Sequence, residues 1–145
     1  MNDEFDKVIA RAERVLERVE ALLPPVSPDP DWMKVTAARW RKRSGRGYLQ
    51  AVPRPHSIAL SDLVAIDEQK KTIDQNTRQF VAGHPANNVL LTGARGTGKS
   101  SLVKAMLAKY ASKGLRVIEV DKMDLVDVPD ISERIESRPE RYIVF

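Results

Sequence analysis

The residues whose types and spacing can do chemistry stand together at positions 93–100, in the run GARGTGKS. Gly93, Gly98, Lys99 and Ser100 satisfy the pattern G-x-x-x-x-G-K-[ST], and the spacing has a mechanical reason. Glycines let a loop wrap closely, so that successive backbone N–H groups point inward at phosphate oxygens. A helix that starts at such a loop adds its positive dipole end and its unsatisfied N–H groups. Lys99 then reaches the β- and γ-phosphates of a nucleotide, and the Ser100 hydroxyl ligates magnesium. Ser101 contributes its backbone N–H near the α-phosphate, while Ala94, Arg95, Gly96 and Thr97 fill the loop between. Average residue frequencies give about one chance match in a few hundred chains of this length. The expected ligands are ATP, or a similar nucleotide, and Mg2+.

Such a loop needs a buried strand before it and an amphipathic helix after it. NNVLLTG is a short apolar run that reads as the strand. SSLVKAMLAKYASK has helical periodicity through Leu102, Val103, Met106, Leu107 and Tyr110, and stops at Gly114. Upstream, a helix is expected from Asp67 as N-cap through Ile73, Thr77 and Phe80 to Gly83. Downstream, LRVIEVD reads as a second strand, 129–138 as a further helix, and RYIVF as a third strand. Strands alternating with helices predict an α/β fold, a parallel sheet with flanking helices.

The segments before residue 58 have a different texture. Residues 3–23 read as an amphipathic helix, with Phe5, Val8, Ala12, Val15, Val19 and Leu22 on one stripe and Ile9, Leu16 and Leu23 widening it. Pro24 and Pro25 stop it. Its apolar face is expected to dock on its own chain or a like subunit, with a different partner as the alternative. A proline-rich and then basic linker follows over 24–57, whose WMKVTAARW stretch could start as a short helix before SGRG breaks it. The domain division is therefore 1–23, 24–57 and 58–145.

Charge is distributed unevenly. The net +4 of the chain divides into −4 for residues 1–31, +7 for 32–60 and +1 for 61–145. Two tryptophans and the cations of Lys34–Arg54 could suit nucleic acid, with cations on phosphates and rings on bases. The alternative is that Trp32 and Trp40 pack on the neighbouring domain. Cysteine is absent, which excludes disulfides, thiolate zinc sites and cysteine nucleophiles. No apolar run approaches the ~20 residues of a membrane helix, and the acidic N-terminus is unlike a secretory signal. A cytoplasmic protein is the default expectation.

Nucleotide hydrolysis needs more than the loop. A carboxylate at the end of a second apolar strand must hold magnesium, and another residue must orient water. Asp121 follows the strand VIEV only 22 positions after Lys99, and RYIVF has the right apolar character. Asp121 with Glu119 also permits a rival reading as a small-molecule P-loop kinase. A second rival is a non-hydrolysing module whose nucleotide binding gates the basic segment on nucleic acid. His56 and His84 have no clustered ligands and are expected in loops.

The runs VLLTGARGTGKSSLVKAML, LRVIEVDKMDLVDVPDI and RPERYIVF, with IALSDLVAIDEQKKTIDQNTRQFVAGHPANNVLL before them, resemble a bacterial family of uncharacterised AAA+ ATPases filed as a domain of unknown function. The resemblance covers residues 58–145 closely and 32–57 loosely. It implies the N-terminal portion of an ATPase that couples hydrolysis to remodelling a partner, as a homo-oligomer. In that family the last strand continues into paired aspartates and a lid subdomain, so this chain by itself is expected to bind nucleotide weakly and hydrolyse little. The resemblance also implies that Leu63 and Ile66 line the adenine pocket, with Ala65 where many members carry glycine. A strand that comes later in the family's chains lies beside the strand of the P-loop. Without it, backbone and apolar surface are exposed there, and the 145-residue chain is expected to unfold below ~60 °C, which a thermal melt checks.

Overall fold

The computed structural model describes residues 2–22 and 28–145. Among them are four α-helices and one four-stranded sheet. In chain order the elements are α1 (Asn2–Leu22), β1 (Ala37–Arg43), β2 (Arg46–Ala51), α2 (Asp67–Val81), α3 (Lys99–Tyr110), β3 (Leu115–Glu119), α4 (Val128–Glu136) and β4 (Arg141–Val144). The strand order is β2-β1-β3-β4. β1 and β2 form an antiparallel hairpin, while β1–β3 and β3–β4 are parallel. The sheet is thus mixed, where an all-parallel one was expected.

The hairpin is the main departure from the sequence reading. Residues 37–51 are half of the sheet, not a linker, and Trp32–Lys34 form a turn in place of a helix. The cause is visible in the strand alternation. Ala38, Trp40 and Leu49 face the core, while Arg39, Arg41, Arg43 and Arg46 face outward, a period-2 pattern in which the cations occupy the solvent side. Ser44 and Gly45 make the turn, both with positive φ, 51° and 77°. Positive φ at both central positions is the two-residue geometry whose twist matches the flanking strands.

Helices cover both faces of the sheet. On one face α4 sends Ile131 into a cluster with Trp32, Ala38, Trp40, Leu49, Ile118 and Val120. Both tryptophan rings are buried, so the alternative that they pack on the neighbouring domain describes them, and base stacking by these rings does not. On the other face Leu102, Met106 and Tyr110 of α3 pack with Leu115, joined by Ile73 and Phe80 of α2. The buried Arg116 donates to the carbonyls of Trp32, Ala111 and Leu115 at 2.9–3.0 Å, which tie the turn before the hairpin to the end of α3.

Two carboxylates fasten elements together. Asp127 accepts from Trp40 Nε1 at 2.8 Å and from Lys42 Nζ at 2.7 Å. Its carboxyl is held below the usual range by the bond from Lys42 and then that from Trp40. Asp74 on α2 accepts from Lys109 Nζ at 2.7 Å and Tyr110 Oη at 2.8 Å on α3. Burial raises its pKa, yet those two bonds prevail and the net direction is down. A depressed folded-state pKa gives stability that is fully present above the unfolded aspartate value of about 3.9, and is lost as pH falls through the folded value. The urea midpoint is therefore expected to fall on acidification below about pH 4, and Asp127→Asn should flatten that dependence.

α1 does not dock on the rest of the chain along its apolar stripe. Phe5, Val8, Val15, Leu16, Val19 and Leu22 are exposed by 48–84%. The stop at Pro24 and Pro25, with Leu23, lies outside the described residues. α2 begins one residue earlier in its cap than expected, with Ile66 as N-cap and Asp67 as the first helical residue. No described helix is long and apolar enough to cross a membrane.

Candidate phosphate-binding site

The loop of residues 93–98 runs directly into α3. Gly93, Gly96 and Gly98 have φ of 134°, 87° and 84°, values that a side chain makes costly. Gly98 is the N-cap of α3 in the left-handed conformation, so the helix is entered with its first N–H groups fanned toward the loop. No acidic residue lies in the first turn of α3, which leaves the dipole end uncompensated. A weak turn spans Arg95–Gly96, but from Asn88 to Ser101 no backbone N–H makes a hydrogen bond of good geometry among the described residues, until Leu102 donates to the Gly98 carbonyl at 2.8 Å.

Lys99 folds back over this loop. Its Nζ donates to the carbonyls of Gly93 at 2.8 Å and Ala94 at 2.7 Å, and reaches Thr97 Oγ1 at 3.3 Å. Thr97 in turn donates to Ala94 O at 2.9 Å. No carboxylate among the described residues pairs with the ammonium. Ser100 is exposed and Ser101 half-buried, and neither hydroxyl has a partner among the described residues. The donor set is therefore cationic and N–H-rich, with the hydroxyls of Thr97, Ser100 and Ser101 close by in sequence. Such a set can take an anion carrying several oxygens.

The segment before the loop was expected as a buried strand, and the structure corrects this. Residues 87–92 belong to no ladder. Val89 and Leu90 are exposed by 48% and 86%, and only Leu91 packs inward, on the α3 cluster. Strand geometry needs a neighbour to take its N–H and C=O groups. None lies beside this segment among the described residues, where the edge of the sheet is β4. A side-chain clamp substitutes in part: Asn76 of α2 accepts from Asn87 N at 2.9 Å and donates to Asn87 O at 2.8 Å.

Of the expected adenine-pocket pair, Leu63 packs with Leu91 on the cluster of Leu102 and Met106, whereas Ile66 does not join it. The Leu63 carbonyl accepts from Lys70 Nζ at 2.7 Å. Between them Ala65 has φ 61°, a left-handed position that explains why glycine suits this place. An L-residue pays about 1–2 kcal/mol there, and glycine loses about 0.4–1 kcal/mol of unfolded-state entropy. Ala65→Gly is accordingly expected to stabilise the chain by about 0.5–1 kcal/mol, read as a rise in urea midpoint.

The Asp121 carboxylate has a local role. It caps the turn Lys122–Asp127, accepting from Met123 N at 3.2 Å. Glu119 is paired with Arg39 at 2.7 Å. Both line a shallow groove of about 400 Å³ with Arg39, Arg41 and Lys122 at the end of β3. His56 and His84 are exposed, and no described cluster of His, Asp and Glu is suited to a metal ion.

A family model described as a protein of unknown function, DUF815, matches residues 33–145. The chain belongs to the DUF815 family. The match begins beside buried Trp32 and takes in the hairpin, so the basic segment is part of the DUF815 region rather than a connection to it. α1 lies outside it. No curated protein and no solved structure matches this chain.

Proposed function

We propose that this DUF815 chain binds ATP with magnesium at residues 93–101, as the nucleotide-binding part of an AAA+-type ATPase. The observation that carries the reading is the N–H-rich loop of Gly93, Gly96 and Gly98 set on the N-terminus of α3, with Lys99 folded across it. The backbone N–H groups of 96–101 hold phosphate oxygens, Lys99 Nζ leaves the Gly93 and Ala94 carbonyls for the β- and γ-phosphates, and Ser100 Oγ supplies a metal ligand. Bound magnesium neutralises charge between the terminal phosphates. In this reading Leu63, which like Leu91 packs on the cluster of Leu102 and Met106, meets an edge of the base.

The AAA+ assignment draws support from the sheet. β4 is an edge strand and residues 87–92 belong to no ladder, which leaves room in the sheet for the further strand of that fold. Hydrolysis that remodels a partner, in an oligomer, is the activity this reading assigns to the complete ATPase.

Titration with a fluorescent ATP analogue tests the binding step. Saturable binding that strengthens with Mg2+ is expected, with ATP and ADP competing and AMP failing because it lacks the β-phosphate. Equal competition by AMP, or no binding at millimolar concentration, would overturn the proposal.

A further inference from the structure

The face of the β1–β2 hairpin turned away from Trp40 has no role in the nucleotide site. Beyond Ala37, which α3 covers through Leu107, the same face continues along β1 as Arg39, Arg41 and Arg43. Opposite them on β2 stand Gln50, Tyr48 and Arg46. Arg39 is neutralised by Glu119 at 2.7 Å. Arg41, Arg43 and Arg46 are exposed and have no acidic partner within salt-bridge distance among the described residues. Arg43 and Arg46 lie directly across from each other, an arrangement of like charges that costs stability. Lys42, on the opposite face, is by contrast fully engaged by Asp127 and Asp124. The hairpin thus pairs its inward cation and, Arg39 apart, leaves its outward ones without an acidic partner among the described residues.

We infer that this open face binds single-stranded nucleic acid, with Arg41, Arg43 and Arg46 on phosphates and Tyr48 stacking on a base. Arg41 and Arg43, alternate residues on β1, stand about 6.6 Å apart, and Arg46 lies across the ladder from Arg43, so the cations cover an area that takes neighbouring phosphates of a chain rather than one anion. Tyr48 is half-exposed opposite Arg41 and beside Arg46 on the same face of β2, and a ring among cations is the platform that unpaired bases use. The face carries no aliphatic side chain. Protein interfaces are centred on apolar, charge-depleted patches, so an acidic protein is the poorer fit. The buried Trp32 and Trp40 take no part in the stacking; they fix the hairpin from behind.

The test is fluorescence anisotropy of the full chain with labelled oligo-dT of about 20 nucleotides, with inorganic polyphosphate of matched charge as competitor. Three released counterions predict a log–log salt slope near −2, hence a roughly 20-fold loss of affinity from 50 to 200 mM salt. Tyr48→Ala is expected to weaken binding by about 10-fold. Arg41→Glu with Arg43→Glu should remove it, whereas the equal charge change in Lys71→Glu with Lys113→Glu should leave most of it. Arg41→Gln with Arg43→Gln, a milder pair on the same exposed face, should weaken it by at least 10-fold without altering the circular dichroism spectrum. Absence of binding at 50 mM salt, equal losses in the two charge-reversed pairs, or polyphosphate competing as well as oligo-dT with no effect of Tyr48→Ala would each overturn the inference.

Discussion

Lys99→Ala is expected to lower the affinity for Mg-ATP on the order of 30–150-fold while leaving the urea midpoint almost unchanged. The estimate follows from hydrogen bonds between a charged donor and a charged acceptor, about 2–3 kcal/mol in all. The small effect on stability follows from the present partners of the ammonium. Lys99 Nζ donates to the Gly93 and Ala94 carbonyls and to Thr97 Oγ1, all in an exposed loop. Water replaces such partners at little cost. Isothermal calorimetry with and without Mg2+ reads the first quantity, and chemical denaturation the second. Unchanged affinity in a folded variant would mean that the loop is a glycine-rich connection into α3 and no more. A loss of affinity matched by a loss of stability would mean that Lys99 acts only by holding the loop together.

That prediction was legible in the sequence because the candidate phosphate loop is local. Its glycines, lysine and serine fall within eight successive residues, and the helix after them declares itself by periodicity. The same holds for α2, α3, β3 and β4, whose apolar spacing and terminal glycines Gly83 and Gly114 lie within or beside each element. Residues 87–92 had the same local signal and yet form no strand. A strand is completed only by a neighbour, and the neighbour is not specified by VLL itself.

The hairpin was missed for the opposite reason. AARWRKRSGRGYLQA is rich in cations, and composition suggested a solvated segment. Its signal was the alternation of Trp40 and Leu49 with arginines, around a Ser-Gly turn at Ser44 and Gly45. Charge on the outward positions concealed burial on the inward ones. The role of Asp121 was also hidden, because a capping bond to Met123 N depends on a turn that starts only once the strand has ended. What no reading of spacing could supply is which cations find carboxylates. Lys42 does and Arg41 does not among the described residues, and the difference is set by Asp124 and Asp127, more than eighty positions away.

The packing behind the hairpin sets the second large effect. Gly47 is expected to be irreplaceable: Gly47→Ala should destabilise the chain by about 2–3 kcal/mol, the usual cost of forcing extra volume into a filled core. The reason is close approach, since a Cβ on Gly47 would overlap the six-membered ring of Trp40. The ring has nowhere to go. It is 2% exposed, and its Nε1 donates to Asp127 at 2.8 Å. Its face is covered by the Arg134 guanidinium 5.5 Å from the ring centre. Arg134 is itself fixed, donating to the Gly47 carbonyl and to Asp29, each at 3.0 Å. Either the indole leaves its rotamer and abandons Asp127, or β2 moves away from β1. The thermal midpoint should fall by roughly 5–10 °C. Trp40→Leu alone should also destabilise, through the lost ring and the unpaired Asp127 bond. Combined with Gly47→Ala it should cost less than the two losses added, because the smaller side chain makes room for the methyl group. Strict additivity would mean that glycine and indole do not touch, and that something other than Trp40 holds the hairpin against α4.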